Sequence, residues 1–320
     1  MKKFKNIKIV LRQNISLLLL LIGSFNLQAQ IISGVNGHPL YSEDYRPFSF
    51  EQQMQLLKKN NFSYYRFEAT FNPDGTIRYT NGTLTDLIAV AKKYNVKLLP
   101  SILIPSSEVL DSVSNVYEKG FTEGRKVATQ NAKYFPVIEV GNEYNLRIVK
   151  DGKIPEDGVF VYDTRKEVIL MGYMKGFING IKSVDKSVKI LVGVALDDYH
   201  FFEEMKKFNI DIDIIGNNRY KPGDAAIFKK MYDVYKKPIW ITEFNYPEGS
   251  THADVSKQSK WVNENIKKLK SIKYIEAIFI YQLLDENRNL NKANILPAEA
   301  NYGLYKVQGT KLTRKLSLKP

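Results

Sequence analysis

The residues best placed to do chemistry are two glutamates, Glu143 and Glu243, each following a strongly apolar run almost directly. Val137-Ile138-Glu139-Val140 leads into Gly141-Asn142-Glu143, and Pro238-Ile239-Trp240-Ile241-Thr242 leads into Glu243-Phe244. A carboxyl at the end of a buried strand is held at a rim, away from the solvated helix faces. Two such groups brought together divide the labour of acid–base and nucleophilic catalysis. One, kept protonated, donates to a departing atom; the other, kept ionised, attacks. Other polar side chains also collect where apolar runs end: Asn36 and His38, Arg66 and Glu68, Asn218 and Tyr220, Tyr246, Tyr281 and Gln282. Glu139 shares the strand parity of Glu143 and is expected to point the same way. A charge buried there requires a partner, and Arg66 is the candidate.

Short β-branched or aromatic runs alternate with amphipathic segments along the chain. Strands are expected over 31–35, 62–68, 96–104, 137–140, 188–194, 212–215, 238–242 and 275–282. Helices are expected over 50–60, 84–94, within 116–134, and over 165–183, 201–208, 225–235 and 258–269. The strands are apolar nearly throughout, as in a parallel sheet covered on both faces. Eight of them alternating with helices predict a single (β/α)8 TIM barrel, whose functional residues gather at the C-terminal strand ends. The Gly-x-Gly-x-x-Gly turn of an open dinucleotide-binding sheet is absent from the sequence. Strands four and seven lie nearly opposite in an eight-membered ring, so Glu143 and Glu243 are expected to converge. Carboxyls about 5–5.5 Å apart suit a retaining glycosidase, and roughly 6.5–9.5 Å suits an inverting one.

The two glutamate motifs, Val140-Gly141-Asn142-Glu143 and Lys237-Pro238-Ile239-Trp240-Ile241-Thr242-Glu243-Phe244, resemble the catalytic signatures of clan A glycoside hydrolases. That clan includes cellulases, β-mannanases, β-xylosidases and β-1,3-glucanases. The resemblance implies a retaining enzyme with Glu143 as acid/base and Glu243 as nucleophile. It implies that Asn142 bonds the sugar 2-hydroxyl, that Arg66 keeps the nucleophile ionised and that Tyr220 orients it. Tyr302-Gly303-Leu304-Tyr305 resembles the tail common in these enzymes. His38, Glu68, Tyr144, Asn218, Tyr246, Tyr281 and Gln282 are the expected substrate-binding residues. The chain departs from the clan at Tyr144 (many members have proline), at Asn218 (a histidine is common) and at Tyr281 or Gln282 (a tryptophan is frequent). These departures leave the exact family and the sugar open. A catalytically silent glycan-binding barrel is the competing expectation.

The 320 residues are 44% hydrophobic and carry a formal charge of +13, with no cysteine. Five positive charges lie within residues 1–12, an apolar run follows over 15–25, and Leu27-Gln28-Ala29 offers a small residue at a cut. This is the layout of a signal peptide over 1–29, with a catalytic domain over 30–320 and a secreted or periplasmic destination. Loss of the leader lowers the charge to +8, spread over lysines without a basic stripe, so nucleic acid is not an expected partner. A weak preference for neutral or acidic polymers is the milder expectation. A poly- or oligosaccharide is the expected partner of a monomer that keeps no membrane segment after cleavage. The absence of cysteine excludes disulfides, thiolate catalysis and a lipid-modified anchor. His38, His200 and His252 are too scattered for a zinc site, and no cofactor or metal is expected. Asp197-Asp198 reads first as a helix cap.

Overall fold

The computed structural model describes residues 31–155, 158–250, 254–286 and 297–318; the expected leader and His252 lie outside them. Eight parallel strands close into one barrel with neighbours in chain order. They are β1 (Ile32–Asn36), β2 (Tyr64–Ala69), β3 (Lys97–Ile102), β4 (Val137–Asn142), β5 (Lys189–Ala195), β6 (Ile214–Arg219), β7 (Ile239–Phe244) and β8 (Ile275–Ile280). Pairing of Val35 with Ile280 closes the ring. Each of the first seven strands is followed by a major helix: α1 (Phe50–Lys59), α2 (Leu84–Lys93), α3 (Val116–Asn131), α4 (Thr164–Val184), α5 (Tyr199–Lys207), α6 (Ala225–Tyr235) and α7 (Val255–Lys270). The single (β/α)8 barrel expected from the alternation is the fold found.

Local sequence sets where these helices begin. Ser49, Thr83, Asn115, Asp163, Asp198, Asp224 and Asp254 precede the seven helices, and each side chain accepts a first-turn backbone N–H. Each such cap contributes typically about 1 kcal/mol and defines the boundary between loop and helix. The Asp198 cap confirms the expected use of that residue, while Asp197 instead pairs with Arg219 and Lys221. The helices α3 and α4 approach unusually closely: a Cβ on Gly124 would lie 2.0 Å from the Phe177 carbonyl oxygen. No helix among the described residues is long and apolar enough to cross a membrane.

Inside the barrel, Tyr64, Leu99, Val137, Leu191, Ile214, Trp240, Ala277 and Phe279 form an apolar floor, separate from the larger core between strands and helices. Gly34 makes room for it, because a Cβ there would meet the Phe279 ring at 2.3 Å. The strand period of two then lifts alternate residues above the floor: over Tyr64 come Arg66 and Glu68.

Two expectations about elements need correction. Strands four, six and seven continue to Asn142, Arg219 and Phe244, so Asn142, Asn218 and Glu243, taken to follow them, lie within them. Backbone pairing continues past the last apolar residue because the mouth supplies polar neighbours. Strand eight stops at Ile280, leaving Tyr281 and Gln282 in the following segment. After β8 the described chain forms an antiparallel hairpin, β9 (Tyr305–Gln308) and β10 (Lys311–Arg314), turning at Gly309 with φ of 60°. The apolar pattern gave no sign of this hairpin, whose strands are short and largely exposed on β10.

Candidate active site

Arg66 is the centre of the mouth. It is 1% exposed, and every one of its five N–H groups has an acceptor. Nε and Nη2 grip Glu139 at 2.6 and 2.9 Å, Nη1 reaches Asn36 at 2.7 Å and Glu243 Oε1 at 2.9 Å, and Nη2 also reaches Asn142 at 3.1 Å. The expected Arg66–Glu139 pair is thus present. Gly193 leaves space for it, since a Cβ there would lie 2.7 Å from Glu139 Oε1. Burial opposes the guanidinium charge, but Glu139, Glu243 and Glu68 outweigh burial and keep it protonated.

Glu143 reaches the mouth by a break in the strand. The register of β4 on β5 shifts between Glu139 and Asn142, Gly141 has φ of 78° and Glu143 itself has φ of 55°. A bulge of this kind re-aims side chains at a barrel rim. Only glycine suits position 141, because a Cβ would press to 2.8 Å from the Tyr144 ring. Simple parity therefore fails beyond Glu139, and Asn142 and Glu143 both take part in the polar network. Asn142 accepts from Arg66 and from Asn218 Nδ2 at 3.0 Å, and donates to Glu68 Oε1 at 3.0 Å and Glu243 Oε1 at 3.4 Å.

Glu243 is the more enclosed carboxylate. Its Oε1 accepts from Arg66 and Asn142, and its Oε2 accepts from the Tyr220 hydroxyl at 2.7 Å. Among the described residues Glu143 engages a single side chain, with Oε1 accepting from Asn218 Nδ2 at 2.9 Å. Burial raises the pKa of both. Glu243 is pushed up to about 8, with Arg66 and Tyr220 opposing burial and with Glu143 and Glu68 adding to it. Glu143 is raised by burial against the Asn218 hydrogen bond and the Arg66 charge. Four carboxylates (Glu68, Glu139, Glu143, Glu243) face one guanidinium, so the group favours retaining a proton. Hydrogen bonding selects its place: both oxygens of Glu243 meet donors, whereas Glu143 Oε2 is left to carry it.

The remaining expected residues divide. His38, Tyr281 and Glu68 stand at the mouth. His38 Nε2 and the Tyr281 hydroxyl are 3.4 Å apart, and Tyr41 donates to Glu68 Oε2 at 3.3 Å. The peptide between Tyr281 and Gln282 is cis. Asn218 is not a free sugar ligand. Both amide hydrogens are used on Asn142 and Glu143, and its Oδ1 accepts from Thr242 at 2.8 Å. Tyr144 is 2% exposed, with its hydroxyl on the Ile104 carbonyl, so its ring is packing and not a stacking platform. Tyr246 is buried against Trp261, with Lys257 over its ring. Gln282 is fully buried beside Tyr45. His200 pairs with Glu203 on α5, a helix-surface role as expected.

Sequence reasoning missed Thr242, which bridges to Asn218, and Tyr302, whose ring centroid lies 5.2 Å from that of Tyr220 and 5.9 Å from that of Tyr281. Thr242 reads as one more β-branched strand residue. Tyr302 carried a signal in the Tyr-Gly pair, because a Cβ at Gly303 would lie 2.2 Å from Asp285 N.

Residues 199–310 match the glycosyl hydrolase catalytic core family, a segment holding Asn218, Tyr220, Glu243 and Tyr281 but neither Arg66 nor Glu143. This match covers about a third of the chain, and with the closed barrel it makes the chain similar to glycosyl hydrolase catalytic cores. Among solved structures, the chain is similar to a family 1 β-glucosidase from Thermotoga maritima in complex with isofagomine lactam. Identity there is 12% and TM-score 0.64, over 89% of this chain and 95% of that one. It is also similar to a family 53 catalytic domain from Ignisphaera aggregans, with 16% identity and TM-score 0.55 over 80% and 86%. A family 39 glycoside hydrolase from Bacteroides cellulosilyticus WH2 gives 13% identity and TM-score 0.59, with 88% of this chain spanning 61% of that one. At such identities the likeness is one of fold. No curated protein matches the chain in sequence.

Proposed function

We propose that this glycoside hydrolase cleaves β-linked poly- or oligosaccharides with retention, using Glu243 as nucleophile and Glu143 as acid/base. The observation that carries the assignment is the asymmetry of hydrogen bonding. Arg66 and Tyr220 hold Glu243 as an acceptor on both oxygens, while Glu143 keeps Oε2 for a proton. A Glu243 oxygen attacks the anomeric carbon as the bond to the leaving oxygen breaks and the Glu143 proton passes to that oxygen. The resulting ester removes the Glu243 charge, so Glu143 loses a like-charged neighbour and becomes an effective acceptor for the proton of water. Water then attacks the same carbon, the ester breaks, and both carboxyls return to their first state. Tyr281 and His38 line the subsite over the nucleophile, and Asn142 would bind the 2-hydroxyl there by giving up its 3.4 Å bond to Glu243.

The layout of residues 1–29 supports export, with the mature chain acting as a secreted or periplasmic monomer. Proton NMR of the first-formed anomer tests retention. Replacement of Glu243 by Ala should abolish turnover of aryl glycosides, and azide should then yield the inverted glycosyl azide. An inverted first product from the unaltered enzyme, or turnover by the Ala variant without azide, refutes the assignment.

A further inference from the structure

We propose that Asn145 is a positioning residue for Glu143, locking the chain behind the acid/base onto β5 so that its carboxyl stays within reach of the leaving oxygen. The proposal rests on the role of Glu143 given above and names what holds it in place.

Glu143 has little else to hold it. Among the described residues its carboxyl meets only Asn218, whereas three side chains meet Glu243. Its backbone is left-handed, with φ of 55° and ψ of 31°. A non-glycine residue keeps such a conformation only where its surroundings impose it, at a cost on the order of 1 kcal/mol or more. The single helical turn that follows, Tyr144–Arg147, must therefore be fixed from outside.

Asn145 fixes it. Pairing of β4 on β5 ends with Asn142 beside Gly193, two residues short of Ala195. Asn145 is fully buried; its Oδ1 accepts from Ala195 N at 3.1 Å and its Nδ2 donates to the Ala195 carbonyl at 3.1 Å. The side-chain amide thus supplies the acceptor and donor of a missing strand neighbour. Nδ2 also donates to Asp198 Oδ2 at 3.0 Å, an oxygen that accepts from the Tyr162 hydroxyl as well, while Asp198 Oδ1 caps α5. With both amide hydrogens taken, Asn145 has no donor left for a sugar, and its effect on the reaction passes through Glu143.

The links close a ring. Ala195 pairs in register with Asn218 on β6, and Asn218 bonds Glu143. One residue of β5 therefore ties down both the chain that follows Glu143 and the side chain that holds its carboxyl. On the other flank the Tyr144 hydroxyl donates to the Ile104 carbonyl, just beyond β3. The turn behind Glu143 is thus anchored on both sides of β4, and Asn145 is the anchor on the side of Asn218.

The test compares phenyl and 2,4-dinitrophenyl β-glycosides in gluco, galacto, manno and xylo series on the full mature protein. The ratio kcat/KM reports steps up to cleavage of the glycosidic bond, and of the two leaving groups only phenol needs a proton from the acid. In Asn145→Leu, kcat/KM on the accepted phenyl glycoside should fall about 10–100-fold, since a misplacement of about 1 Å can cost about 10²-fold. On the dinitrophenyl glycoside it should fall less than about threefold. Asp198→Ser keeps a capping side chain for α5 but loses the reach to Asn145, and should show the same split at about 3–10-fold. It carries the test alone where Asn145→Leu does not fold. Equal losses on both substrates, or no loss, overturn the positioning role. Glu143→Ala separates this role from the reading beneath it. No leaving-group split in Glu143→Ala refutes the acid/base assignment; a split there, without one in the Asn145 and Asp198 variants, refutes the positioning alone. A crystal structure of Asp198→Ser decides without turnover: Glu143 displaced from Asn218 supports the clamp, and Glu143 unmoved refutes it.

Discussion

The barrel interior has two storeys built on opposite rules. In the floor, Tyr64, Trp240 and Phe279 fill space with rings 5.5 to 5.9 Å apart, and Trp240 Nε1 has no hydrogen-bond partner among the described residues. One residue further along each inward face, the mouth fills space with charge, and all five donors of Arg66 are taken. The floor is a site of packing, where side chains serve to fill space. The mouth crowds four carboxylates around one cation, which stability alone would not select. The difference separates what holds the barrel from what makes it react.

The largest effects should break that symmetry most sharply. Glu243→Ala should lower kcat by at least about 10⁴-fold in steady-state assays, while its unfolding midpoint stays at or above that of the native chain. A Glu243 variant with lower stability would mean that the mouth is structural after all. Glu143→Ala should reduce turnover of poor leaving groups by about 10²–10⁴-fold, with a much smaller loss for 2,4-dinitrophenyl glycosides, which need no proton. Phe279→Ala, in the floor, should do the reverse. About 3–5 kcal/mol of stability should disappear in denaturant titration, with activity per folded molecule kept within a few-fold.

The pH response sharpens the same contrast. Folding raises both carboxyls of the Glu143–Glu243 pair, Glu243 from its ordinary 4.5 to about 8, so the folded pair binds more protons than the unfolded one between those values. The pair's contribution to stability is therefore present in acid and lost as pH rises through that window. Thermal melts from pH 4.5 to 8.5 should show this decline, and Glu243→Gln should flatten it. The smallest effects concern the hydrogen bonds to the pair. Tyr220→Phe removes a bond that lowers the Glu243 pKa, so the acid limb of kcat/KM should move up. Asn218→Ala removes the bond that lowers the Glu143 pKa, so the alkaline limb should move up. Each shift should be on the order of one pH unit or less, and movement in the opposite direction would reverse the assignment of roles.

Much of this contrast was legible in the sequence. Polar residues at the ends of apolar strands marked the mouth, and the parity of Glu139 with its need for a cation identified Arg66. The bulge was not legible, because counting alternate residues assumes a regular strand, and Gly141 breaks the count just before Glu143. Tyr144 and Tyr246 were misplaced for a related reason. An aromatic at a strand end turns toward sugar or toward a helix according to tertiary neighbours, which here are the Ile104 carbonyl and Trp261. The overall charge of +13 was also a poor guide to the mouth, where Glu68, Glu139, Glu143 and Glu243 surround Arg66. Whole-chain charge averages over surface lysines that the substrate site does not share.

The described segment after β8 bears on the order in which the mouth can be assembled. Leu304 N donates to the Gln282 carbonyl and Tyr305 N to that of Leu283, while Lys315 is buried against Asp285 at 2.6 Å. Tyr302 completes the aromatic wall beside Tyr220 and Tyr281. A chain emerging N-terminus first has Arg66 and Glu139 available long before β8 exists to close the ring. Its aromatic wall is complete only once the segment bearing Tyr302 has followed β8, so a nascent chain lacking that segment presents an unfinished mouth.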